Sequence, residues 1–115
     1  MGESSCIFCR IAAGDLPAQL LHQDDRSLAF RDINPKAPTH VLVIPREHIT
    51  DLAHITTEHS ALLGHLVEVV NQVARAEGLT ERGYRVVANL GPDSGSEVAH
   101  LHLHILGGHP LGAMG

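Results

Sequence analysis

The chain predicts an α+β domain: an antiparallel sheet of about five strands with one long helix and one short one. Three observations carry this. Short apolar runs recur between clusters of turn residues, as strands do. Only one segment sustains a helical repeat over several turns. The connections are short, which suits antiparallel neighbours with helices packed on one face of the sheet.

Ser5 is a candidate cap for a short helix over residues 6–13, closed by Gly14 with Pro17 just beyond. Residues 19–23 and 27–32 read as two strands around the turn residues Asp24, Asp25 and Arg26. Asn34, Pro35, Lys36, Ala37 and Pro38 form a rigid loop, and residues 40–44 are a continuous apolar strand ended by Pro45. The long helix starts at Thr56 or Thr57. Leu62, Leu66, Val69, Val70 and Val73 repeat every 3.6 residues, and Gly78 stops it. His59 and His65 fall off that stripe and read as solvated surface residues with no role. Residues 84–88 are another strand, Gly91 to Gly95 a turn-rich loop, and residues 101–106 the last strand.

At 115 residues the chain is the size of one domain, residues 1–115, and can bury a core without staples. The net charge is -5, and the only cations are Lys36 and seven scattered arginines, which argues against a nucleic-acid polymer as partner. Any phosphate-bearing ligand is therefore small. No run approaches a membrane span, and the start lacks the pattern of a secretory signal. The hexapeptide MGESSC fits a loose myristoylation pattern at Gly2. Two cysteines without an export signal suit a reducing cytoplasm.

The stretch HLHLHIL sets His100, His102 and His104 at strict alternation. On a strand they share one face, while Leu101, Leu103 and Ile105 take the other. Core packing explains the leucine face but not the histidine face. A neutral imidazole attacks phosphorus if one ring nitrogen is bare and the other donates a hydrogen bond that sets the tautomer. The middle histidine is the natural attacker. The preceding Asn89-Leu-Gly-Pro-Asp-Ser-Gly95 lets the backbone approach oxygen atoms closely.

HLHLHILGG, with Asn89 and Gly95 upstream, resembles the histidine-triad (HIT) family. The Gly107-Gly108 ending is similar to its purine-nucleoside phosphoramidase branch. CIFCRIAAGDLPA, LAFRDINPKAPTHVLVIPREHI and GYRVVANLG match that branch in the same order, so the resemblance covers residues 6–108. It implies a HIT-like fold. It also implies a hydrolase that cleaves the P–N bond of purine nucleoside 5′-phosphoramidates, or related nucleotidyl conjugates, through a nucleotidyl-histidine.

By this resemblance His102 is the nucleophile, His104 flanks the phosphate, and His40 and His100 complete the catalytic set. Asn89 and the N–H groups from Gly95 through Ser96, Glu97 and Val98 hold the phosphate oxygens. Asp32 accepts the two ribose hydroxyls, for which an ionised carboxylate has the matching pair of acceptors. Ile7, Phe8, Ile11, Leu16, Phe30, Ile33 and Leu42 match the base slot, although as residue types they suit an ordinary core equally. With 3% aromatics the slot rests mainly on aliphatic walls. Glu97 stands where many members carry Ser or Thr. His109 replaces a common Arg, and a usual C-terminal Trp is missing. A homodimer is the family expectation.

Cys6 and Cys9 form a C-x-x-C without a thioredoxin-like context. Related members hold structural zinc with two cysteines and two histidines. The corresponding residues are Cys6, Cys9, His48 and His100. No catalytic cofactor is expected. Two other readings stay open. One is a metal-dependent hydrolase holding a single ion on the three histidines, although these would splay across about 13 Å of straight strand. The other is a nucleotide-binding regulatory module with little turnover.

Overall fold

The computed structural model describes residues 5–115. Gly2, the myristoylation candidate, lies outside them. Five antiparallel strands form one sheet: β1 (Leu20–Gln23), β2 (Ser27–Arg31), β3 (Thr39–Pro45), β4 (Tyr84–Val87) and β5 (Leu103–Gly107), in the order β1-β2-β3-β5-β4. The short helix α1 spans Ile7–Ala12 and the long helix α2 Ser60–Ala76. The α+β class and the strand count agree with the expectation.

The helices do not share a face. Val41 and Val43 of β3 pack with Leu103 and Ile105 against Leu66, Val69, Val70 and Val73 of α2. Leu42 and Ile44 point the other way and pack with Leu28 and Phe30 against Phe8 of α1. The expectation of helices on one face is therefore corrected. The sign was already in β3, whose unbroken apolar run is buried from His40 to Pro45 and needs cover on both sides.

Four local expectations change. Cys6, not Ser5, caps α1: its Sγ accepts the Cys9 N–H at 3.4 Å. Strand β5 starts at Leu103 rather than Leu101, because the preceding segment leaves the ladder to bond the chain beyond β3. The Leu101 N–H donates to the Ile49 carbonyl at 2.6 Å. His59 completes a capping box before α2, its Nδ1 accepting the Thr56 N–H at 3.0 Å. His65 is half-buried with its Nε2 2.8 Å from Asp24 Oδ2, which also lies 2.6 Å from His22 Nε2. That carboxylate ties α2 to the β1–β2 turn across 41 residues of chain, a contact that the helical repeat alone does not reveal.

Arg46 fastens α1 to the sheet. Its Nη1 donates to the Ala12 carbonyl at 2.9 Å and its Nε to the Asp24 carbonyl at 2.7 Å. The face of the sheet opposite α2 is thus only partly roofed. The short helix covers one end, and the histidines occupy the rest.

Candidate active site

The three triad rings share a side but serve three different neighbourhoods. The His100 ring is fully buried, and its Nε2–H donates to the Pro45 carbonyl at 2.9 Å. This leaves Nδ1 bare toward Cys6 Sγ at 3.3 Å and Cys9 Sγ at 3.5 Å. The His102 Nδ1–H donates to the His100 main-chain carbonyl at 2.7 Å, so its Nε2 carries the free lone pair. His104 accepts at Nδ1 from the His40 Nε2–H at 2.9 Å, and its own Nε2 is buried without a protein partner.

Strand register explains the last pairing. Leu42 lies opposite His104 and His40 opposite Leu106, so His40 and His104 are diagonal neighbours on one face. The His102 and His104 ring centroids are 4.9 Å apart. Their tautomers are opposite. One presents a bare Nε2 and the other an Nε2–H, a lone pair beside a neutral hydrogen-bond donor.

His102 and His104 line a small cavity of about 120 Å³ with Asp32, Asn89, Gly95, Ser96, Glu97 and Val98. The expected phosphate-side residues are all brought together. The loop expected to hold phosphate oxygens has one donor fewer than the resemblance implies, because the Ser96 N–H donates to Ser94 Oγ at 3.2 Å. Gly95 closes the 3-10 turn Pro92–Ser94 in a left-handed conformation, φ 81°, that bulkier residues rarely take. An adjoining slot of about 230 Å³ is walled by Ile7, Phe8, Ile11, Phe30, Ile33 and Leu42. Leu16 is not among its lining residues; Pro17 and Ala18 stand there instead, where the chain turns away after α1. Sequence reasoning missed both. Asp32 and Glu97 border the cavity and the slot alike. A larger cavity of about 490 Å³ lies between Thr39, the turn after α2 and Gly108–Pro110, and touches none of the triad.

The C-x-x-C completes a second cluster. Cys6, Cys9, His48 and His100 converge so that their ligand atoms all lie within 4.8 Å of one another. Cys9 Sγ is 3.2 Å from His48 Nδ1. On a tetrahedral zinc, sulfur and nitrogen ligands stand about 3.5 Å apart, given bonds of about 2.3 and 2.0–2.1 Å. The pocket therefore fits a closed Cys₂His₂ zinc site. The His100 Nε2–H bond to Pro45 is the outer contact that orients such a ligand. His100, expected in both sets, puts its ring in this cluster and only its carbonyl in the catalytic one.

Among the described residues no cluster joins His100, His102 and His104 as ligands of one ion. The His100 ring is turned to the thiols and the Pro45 carbonyl, so the three imidazoles do not converge on one point. Asp32, His40 and His104 also converge. However, His40 Nδ1 accepts the Lys36 N–H at 3.0 Å, which commits its Nε2 to carrying a proton. That Nε2 is a donor and not a metal ligand.

Burial lowers the pKa of His104 from 6.5 to about 4, with further lowering from His102 and His40 and partial opposition from Asp32. Burial lowers His40 in the same direction. Below the ordinary histidine value the unfolded chain takes up protons that the folded site refuses. Stability is therefore full above about pH 6.5, declines as the pH falls toward 4, and levels off below. Urea midpoints measured across that window should fall with acidification, and less steeply in His104→Asn. A midpoint that rises with acid in the wild type alone would contradict the assignment.

A family profile for the HIT domain matches residues 13–111. The purine nucleoside phosphoramidase of Escherichia coli is 44% identical over 108 residues, covering 94% of this chain and 91% of that one. A 14 kDa zinc-binding protein of Zea mays is 44% identical over 113 residues, 96% of this chain and 88% of that one. The structure of a HIT family hydrolase from Clostridium thermocellum superposes with a TM-score of 0.94 at 40% identity, covering 97% of each chain. With the histidine stretch, the sheet that carries it and these likenesses in agreement, the chain belongs to the HIT family.

Proposed function

We propose that this HIT hydrolase cleaves the P–N bond of purine nucleoside 5′-phosphoramidates, or related nucleotidyl conjugates, by covalent catalysis at His102. The observation that carries the reading is the 2.7 Å bond from His102 Nδ1–H to the His100 carbonyl, which leaves Nε2 bare at the cavity wall. That nitrogen attacks the α-phosphorus, the P–N bond breaks, and the leaving nitrogen takes a proton from solvent water to depart as the neutral amine. Water then attacks the same phosphorus, releases the nucleoside monophosphate and returns His102 neutral. The buried His104 Nε2–H donates to an oxygen of the reacting phosphate, where charge accumulates.

The nucleoside lies across Asp32 into the apolar slot. Asp32 Oδ1 already accepts the Asn34 N–H at 2.8 Å, which orients the carboxylate for the two ribose hydroxyls. The apolar walls of the slot, Ile7, Ile11 and Leu42 among them, suit the faces of adenine and guanine alike. Glu97 is exposed at the mouth. Incubation with a fluorogenic adenosine phosphoramidate should give turnover that survives brief chelation. His102→Ala should lower kcat/KM by at least about 10³-fold, as loss of a nucleophile does. Turnover that persists in the variant would sink the covalent route.

A structural zinc on Cys6, Cys9, His48 and His100 belongs to the same proposal. When bound it supplies a cross-link between α1 and the triad segment, with no place in the reaction. Protein purified without chelator should carry one zinc per chain by elemental analysis, and Cys9→Ser should lose both the metal and several degrees of Tm. Equal stability with and without zinc would retire the site.

A homodimer completes the reading. Strand β4 is a sheet edge, and its Val86 is exposed on the face that α2 covers elsewhere, as is Val67 of α2. Apolar side chains beside an unpaired edge suit a two-fold partner. Light scattering should give twice the chain mass, and Val86→Lys should shift it toward the monomer. A monomeric wild type would remove this part.

A further inference from the structure

We propose that the main-chain N–H of Lys36 is a positioning group for the reaction: it sets the tautomer of His40 and, through it, the tautomer of His104. The inference rests on the function proposed above and adds a part that the reaction needs.

The chain of contacts runs one way. The Lys36 N–H donates to His40 Nδ1 at 3.0 Å. A ring that accepts there is neutral with its proton on Nε2, and that proton points to His104 Nδ1 at 2.9 Å. His104 then accepts at Nδ1 and carries its proton on Nε2, the buried atom with no protein partner. The Lys36 ammonium adds no hydrogen bond to this chain, since Nζ donates to the Asn34 carbonyl at 3.1 Å; its charge only helps to lower the pKa of both imidazoles. What matters is the backbone of a loop held between Pro35 and Pro38.

The direction has a chemical consequence. If the chain ran the other way, His104 would offer a bare nitrogen beside the bare Nε2 of His102. Two lone pairs would then face the phosphate oxygens, and no donor would meet the growing charge. Burial keeps His104 uncharged at neutral pH, so a positive charge does not supply the missing donor. Asp32 Oδ2, 3.5 Å from His40 Nε2, favours the same proton position while the site is open. Once Asp32 turns to the ribose, the Lys36 N–H is the group that still holds the order.

Nitrogen-15 spectra of histidine-labelled protein read the tautomers directly. In the wild type, His40 and His104 should each show a pyridine-type Nδ1 and a pyrrole-type Nε2, and His102 the reverse. Lys36→Pro removes the N–H. It should turn the His40 and His104 signals toward averaged values and lower kcat about tenfold, the bias of one hydrogen bond, with KM within about twofold. Lys36→Ala keeps the N–H. It should keep the tautomers, and its kcat is the reference for the proline variant. Should proline prevent folding, an amide-to-ester replacement at residue 36 deletes the same N–H without a ring. A protonated His40 Nδ1 in the wild type, or wild-type tautomers and kcat after the N–H is removed, would overturn the proposal. Because the spectra need no substrate, a wild type with the expected tautomers but no turnover overturns the proposed function instead, and with it only the catalytic consequence drawn here.

Discussion

The arrangement turns on His100, whose two ends are held for different purposes. Its ring gives Nε2–H to the Pro45 carbonyl and turns Nδ1 to the thiols. Its main-chain carbonyl accepts from His102 Nδ1–H and leaves that ring's Nε2 bare. A shift of the ring would carry the carbonyl with it, because both belong to one residue on an extended segment. The C-x-x-C cluster and the candidate cavity therefore meet at one residue, although they share no side chain. Phe8 reinforces the joint by setting its ring edge against both imidazoles, with centroids 5.9 Å from His100 and 5.2 Å from His102.

Main-chain groups decide which nitrogen of each histidine carries the proton. Carbonyls of Pro45 and His100 demand N–H donors, and the Lys36 N–H demands an acceptor. Side chains could titrate or rotate out of such roles. Backbone groups in a sheet or a proline-bracketed loop cannot do so without breaking the fold. Neutral imidazoles thus acquire opposite characters in one cavity without net charge. Burial contributes by lowering the pKa of both His40 and His104, that of His104 to about 4.

The sheet makes this economical. Strand β5 lies between β3 and β4, and β3 is covered on both faces. On one face the long helix gives rigidity through a continuous apolar layer. On the other, a six-residue helix leaves room for a cavity. The histidines are tolerated on the second face because each finds a partner in the backbone, a thiol or another ring. The His104 Nε2 is the exception, a buried nitrogen without a protein partner at the cavity wall.

Much of this was legible in the residues themselves. The alternation of HLHLHIL assigned three imidazoles to one side, since strand geometry has a period of two. Leu101, Leu103 and Ile105 do join the core beneath α2. The apolar repeat of α2 and the run through β3 marked the scaffold, and the likeness to the HIT pattern singled out Asp32, Asn89 and His102. What only the tertiary structure decided is the partner of each ring: His100 with thiols 91 and 94 residues away, His104 with His40 across a strand pair, His65 with Asp24. It also decided that the helices take opposite faces. The reason is physical: local pattern specifies which side of a strand a residue faces, while tautomers and ligand sets depend on distances between segments that only packing brings together.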